Sequence, residues 1–142
     1  PKVLNSMLSI TKIFTFETAH RISSYQGACQ HIHGHSYKLH VTVTGEEVGE
    51  DDMLLDFKIL KQIVKDVIVD PIDHAIMLKK NEVNERDFGK MQEKIFWMPT
   101  EPTAERMLEW MAYQLQEHLP SKIHLKRLRL FETENSFAEW EK

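Results

Sequence analysis

The chain has 142 residues, 42% hydrophobic and 28% charged, a size and composition that suit one globular domain and exclude disordered, collagen-like and low-complexity classes. Lys and Arg number 18 against 22 Asp and Glu, a formal net charge of −4, which is not the basic footprint of a nucleic-acid binder. No apolar run approaches the ~18 residues of a membrane span, Pro1 to Ile10 lacks the pattern of a signal peptide, and the one cysteine, Cys29, permits no intrachain disulfide and fits a reducing cytoplasm.

No repeat or linker divides the chain, so residues 1–142 are expected to form a single domain. Met7 to His20 reads as a strand with Ile10, Phe14, Phe16, Thr18 and His20 on one face. Ser23 to Gln30 is a loop. His35 to Thr44 is a second strand, with Tyr37, Leu39, Val41 and Val43 facing one way and Lys38, His40, Thr42 and Thr44 the other. Gly45 to Asp52 is an acidic turn. A helix starts at Asp56, its N-cap, with Phe57, Leu60, Ile63, Val64, Val67 and Ile68 as its apolar stripe, and Pro71 ends it. Lys79 to Glu93 is polar and poorly periodic, the pattern of a long surface loop. Pro102 and Thr103 open a second helix with the stripe Met107, Leu108, Met111, Leu115 and Leu119. Lys122 to Glu132 and Ser136 to Trp140 form a closing strand pair turned at Thr133–Asn135. The order ββααββ predicts an α+β fold, a four-stranded antiparallel sheet with two helices on one face.

Eight histidines are the compositional oddity, and three of them carry the chemistry. Residues two apart in a strand share a face, roughly 6.5–7 Å apart, so His33 and His35 can aim two imidazoles at one ion. They share the face of Tyr37 and Leu39, where an unpartnered imidazole is costly. His20 ends the first strand on its apolar face and becomes a third ligand if the two strands pair. Three histidines with an open position make a catalytic zinc arrangement. The alternative is a coincidence of a histidine-rich chain. His31 has the opposite parity, His40 falls on a polar face, His118 suits a helix C-terminus, and His124 has no evident partner. Asp73 beside His74 is either a carboxylate-oriented proton-transfer group or a solvated turn. Glu132 shares parity with Leu128 and Leu130, and needs a ligand with paired N–H groups, an arginine such as Arg127 or Arg129, or a neighbouring subunit.

Together these residues resemble the 6-pyruvoyl-tetrahydropterin synthase superfamily, the T-fold enzymes. The likeness runs through Phe16-Glu-Thr-Ala-His20-Arg21, Cys29-x3-His33-Gly-His35-Ser-Tyr37, Leu55-Asp56-Phe57-Lys58-x-Leu60-Lys61, Asp73-His74, Pro102-Thr103-Ala-Glu105 and Phe131-Glu132-Thr133. It implies that His20, His33 and His35 hold catalytic zinc, that Cys29 transfers a proton and that Asp73 and His74 form its partner relay. It further implies that Glu132 anchors a pterin ring and that Thr103 lines the same pocket. Three residues between Cys29 and His33 resemble the bacterial 6-carboxy-tetrahydropterin synthase branch of queuosine biosynthesis. Asp52, Met77-Leu78, Arg106 and the long segment from Lys79 to Thr100 depart from the common pattern, and they leave the substrate open.

By that resemblance the substrate is 7,8-dihydroneopterin triphosphate, and the products are 6-carboxy-5,6,7,8-tetrahydropterin, acetaldehyde and triphosphate. Arg21, Lys79 and Lys80 are candidates for the triphosphate. The sibling activity, forming 6-pyruvoyl-tetrahydropterin, and a non-enzymatic zinc module closed by Cys29 are the alternatives. The resemblance also implies a cytoplasmic homo-oligomer, a hexamer of two trimers with sites at subunit interfaces. Phe137 and Trp140 are expected near the joining surfaces.

Overall fold

The computed structural model describes residues 7–142. Its elements run β1 (Ser9–His20), β2 (His33–Gly45), α1 (Phe57–Val64), α2 (Asp70–Ile72), β3 (Ala75–Lys79), α3 (Glu82–Phe88), β4 (Ile95–Met98), α4 (Ala104–His118), β5 (Ile123–Thr133) and β6 (Ser136–Glu141). The α+β class stands, but the sheet has six strands in the order β4-β3-β1-β2-β5-β6, not four. The long strands β1, β2, β5 and β6 pair antiparallel, as the alternation predicts. The two added strands are short and parallel, β3 joining β1 over Thr18–His20 and β4 joining β3. Parallel strands read as continuous apolar runs rather than alternating ones, which is why Ala75–Lys79 and Ile95–Met98 carry no period-2 signal.

The predicted loop from Lys79 to Glu93 contains α3. Asn81 caps it by accepting the Asn84 N–H at 2.8 Å, and Asn84 is fully buried with its amide donating to the Lys79 carbonyl. Pro71 does not end the helical path either. After α1 the backbone widens into a π-turn over Lys65–Val69, where the Asp70 N–H reaches back to the Lys65 carbonyl. That widening seats Pro71 within the helical path, at the start of α2.

The inward face of the long strands supplies Phe16, Tyr37, Leu39, Val41, Val43 and Leu130 to the core. Asp56 caps α1 through the Lys58 N–H, and Leu60, Val64 and Ile68 are buried, whereas Phe57 is half-exposed. Thr103 caps α4 by accepting the Arg106 N–H at 3.2 Å, and Met107, Leu108, Met111 and Leu115 pack inward. Trp140 packs against this core too, away from the open sheet face where Phe137 stays half-exposed. Among the described residues, no helix is long and apolar enough to cross a membrane.

Leu130 is fully buried two residues before Glu132. Leu130→Ala should destabilise the protein by about 2–5 kcal/mol in urea unfolding; a loss no larger than that of a surface substitution would contradict its place in the core.

Candidate functional site

The site is set by strand register. His20 at the end of β1 lies directly opposite His33 at the start of β2, and Thr18 lies opposite His35. Their rings form a near-equilateral triangle with centroids 4.5, 5.0 and 5.1 Å apart. One ligand nitrogen from each lies within 4.8 Å of the other two.

The hydrogen bonds fix the tautomers. His20 Nδ1 is 2.8 Å from the Pro102 carbonyl, and His33 Nδ1 is 2.9 Å from the His31 carbonyl. A carbonyl only accepts, so both Nδ1 atoms carry hydrogen and both Nε2 atoms present lone pairs when the rings are neutral. Those two Nε2 atoms are 3.0 Å apart, and His35 Nε2 is buried without a hydrogen-bond partner. Lone pairs facing at that distance repel unless a cation lies between them. Two nitrogens bound to a tetrahedral zinc ion would be about 3.3 Å apart, close to the spacing seen. Backbone carbonyls orienting the rings from behind are the usual support for histidine ligands. The residues present therefore fit a metal ion.

Glu132 completes the surroundings. It is skipped where β5 and β6 shift register between Phe131 and Thr133, and such a bulge re-aims a side chain. Its Oε2 lies 3.2 Å from His35 Nε2 and 3.7 Å from His20 Nε2. Arg127 and Arg129 pair with Glu139 instead, so the arginine alternative for Glu132 is not realised. The Tyr37 hydroxyl is buried beside His35 without a partner. Burial, reinforced by the Glu132 carboxylate, pushes its phenol pKa far up, so it remains a donor.

The other candidates lie around this cluster. Cys29 is exposed on the 3₁₀ turn Ala28–Gln30, and it is not among the donors grouped with the three histidines. Asp73 and His74 form the turn entering β3. The Asp73 carboxylate accepts the Glu17 N–H, and the His74 N–H donates to the Glu17 carbonyl. These bonds hold His74 at a φ of 60°, with its side chain 78% exposed and its Nε2 3.7 Å from Asp73. His74 and His35 line a shared shallow cleft with Glu17 and Ser36. Thr103 uses one oxygen lone pair to cap α4, and its O–H remains a donor. Arg21, one of the triphosphate candidates, donates from Nε to the Gln30 carbonyl and from Nη1 to Asp87. The ring-orienting carbonyls of His31 and Pro102 escaped the sequence reading, since backbone groups leave no residue-type signal.

A family model described as 6-pyruvoyl tetrahydropterin synthase matches residues 9–142. The 6-carboxy-5,6,7,8-tetrahydropterin synthase of Haemophilus influenzae is 35% identical over 144 residues, covering 95% of this chain and 99% of that one. The protein of the same name from Rickettsia bellii is 28% identical, covering 94% and 99%. Among solved structures, 6-pyruvoyl tetrahydropterin synthase from Plasmodium vivax superposes with a TM-score of 0.76 at 19% identity, covering 97% of this chain and 99% of that one. The Caenorhabditis elegans enzyme gives 0.70 at 22%, covering 96% of each; these two likenesses speak for the fold.

Burial holds the His20 imidazole below its ordinary pKa of 6.5, opposed by its bond to Pro102 and lowered further by His33. The unfolded chain thus binds the extra proton more readily, so this contribution to stability is full above pH 6.5 and is lost as pH falls through the folded value. The melting temperature of metal-free protein should therefore drop between about pH 7 and pH 5, and His20→Gln should flatten that drop. Equal slopes in the two proteins would contradict the assignment.

Proposed function

This chain belongs to the 6-pyruvoyl tetrahydropterin synthase family, and from that premise we propose that it is a zinc-dependent lyase acting on 7,8-dihydroneopterin triphosphate. Its products are 6-carboxy-5,6,7,8-tetrahydropterin, acetaldehyde and triphosphate, with one water consumed, the chemistry of queuosine precursor synthesis. The observation that carries the reading is the trihistidine cluster with converging lone pairs. The names of the bacterial relatives support the product.

His20, His33 and His35 would hold the zinc ion, which when bound polarises side-chain oxygens of the substrate and stabilises charge left by a departing proton. Cys29 sits on an exposed turn outside the ligand group, an arrangement suited to a general base and not to a fourth ligand. Asp73 orients His74, which returns the proton. Glu132 is one-third exposed, so its carboxylate can accept paired N–H groups of a pterin ring, and the Thr103 hydroxyl can donate from the α4 end. Tyr37, kept protonated by burial, holds an O–H beside His35. No step needs a nicotinamide, because the hydrogens are redistributed within the substrate.

The zinc-loaded protein incubated with dihydroneopterin triphosphate should release acetaldehyde and the 6-carboxy product by mass, and Cys29→Ala should keep zinc but lose turnover. A product retaining every side-chain carbon would assign the sibling activity, 6-pyruvoyl-tetrahydropterin formation. Loss of zinc in Cys29→Ala would favour a closed structural site.

The working form we propose is a homo-oligomer, a hexamer of two trimers. Among the described residues β1 pairs with β3 only over Thr18–His20, so Ser9–Glu17 offers a free edge, and β6 offers another. The open face carries Ile13 and Phe137, both at least half-exposed. Free edges and an uncovered apolar face favour strand-to-strand closure with further copies. The outward-pointing His74 then completes a neighbour's site. Light scattering at micromolar concentration should give six chains per particle; a fully active monomer would refute the shared site.

A further inference from the structure

The segment from Lys79 to Thr100, which is longer than the common family pattern, is bound to the turn that carries Cys29. Arg21, the residue after the ligand His20, makes the link. Its Nε donates to the Gln30 carbonyl at 2.8 Å, and its Nη1 donates to Asp87 Oδ2 at 2.9 Å. The same Nη1 lies 3.5 Å from Asn84 Oδ1, and the guanidinium lies over the Phe88 ring at 5.5 Å. Asn84, Asp87 and Phe88 all belong to α3. Gln30 ends the 3₁₀ turn of Cys29, and the Ile22 N–H donates to the Cys29 carbonyl at 2.8 Å. The carbonyls of Cys29 and Gln30 are thus both held by the two residues that follow the His20 ligand strand.

The helix on the far side of Arg21 is itself anchored. Asn81 caps α3 and donates to Ser23 Oγ at 3.0 Å, and that hydroxyl donates to Glu101 at 2.7 Å. Glu101 precedes Pro102, whose carbonyl orients His20. The Arg21 side chain is mostly buried, 19% exposed, and it meets Asp87 at the surface of α3. Hydrogen bonds from Arg21 and then Arg86 hold the Asp87 carboxyl below its ordinary range, so the pair is charged at neutral pH.

We propose that α3 is a buttress for the Cys29 turn, with Arg21 and Asp87 as positioning residues that fix the backbone of that turn and with it the place of the thiol. A guanidinium suits this task because its rigid fork serves Gln30 and Asp87 at once, which a lysine ammonium on a flexible stem does not. The consequence for turnover rests on Cys29 being the general base; the consequence for the thiol does not.

The chain has one cysteine, so alkylation by iodoacetamide reads Cys29 alone. In the zinc-loaded protein, Asp87→Asn and Arg21→Lys should each raise the alkylation rate several-fold and speed amide exchange over Gly27–Gln30, with the melting temperature of Asp87→Asn little changed. The two effects should be non-additive in the double variant, because they break one link. Turnover should fall on the order of tenfold in kcat with KM nearly constant, and Asp87→Glu should recover most of it. A wild-type alkylation rate and wild-type exchange in Asp87→Asn would overturn the buttress. Faster alkylation with unchanged kcat would uphold the buttress and instead refute Cys29 as the base.

Discussion

Two imidazoles whose Nδ1 hydrogens are committed to backbone carbonyls cannot rest with their Nε2 lone pairs 3.0 Å apart unless a cation lies between them. That constraint organises the protein. The His20–His33 pairing requires the β1–β2 register, and one residue of slip in β2 would turn His33 and His35 to the face opposite His20. The carbonyl that orients His20 comes from Pro102, in the lead to α4, so the site exists only when the helix layer has docked on the sheet. A proton is a poor substitute for the metal, since burial lowers the affinity of His20 for it.

The sheet divides its work between two faces. The inward face carries Tyr37, Leu39, Val41 and Leu130 against α1 and α4, and near its end it turns from hydrocarbon to histidine and glutamate. The bulge at Glu132 brings a carboxylate onto that edge without disturbing the pairing before it. The outward face holds Ile13, His40, Arg129 and Phe137, with Phe131 and Phe137 in ring contact. His74 is placed by its backbone bond to Glu17 in a left-handed conformation that histidine tolerates better than most residues.

The long antiparallel strands and the two amphipathic helices were legible because their periods are unambiguous: alternate burial from Phe16 to His20, and Met107, Met111 and Leu115 on one side of α4. The histidine triad was legible for the same reason, since parity alone puts His33 and His35 on one face. What stayed hidden has physical causes. β3 and β4 are four or five residues long and apolar apart from Lys79, so neither period applies. α3 is held by Asn81, Asn84 and Arg21 and not by an apolar stripe, so polar composition disguised a packed helix as a loop. Pro71 was misread because a π-turn, invisible to pattern, resets the helix before it. The likeness to known pterin enzymes supplied roles for Cys29 and Glu132 that spacing alone does not assign.

Three imidazoles, with no thiolate, would make up the protein's share of a metal centre open to substrate. X-ray absorption at the zinc edge of the loaded protein tests it most directly. The account predicts a shell of nitrogen and oxygen neighbours at about 2.0–2.1 Å, with the multiple-scattering signature of three imidazoles. A sulfur neighbour at about 2.3 Å would bring Cys29 into the coordination sphere, close the site, and contradict the account.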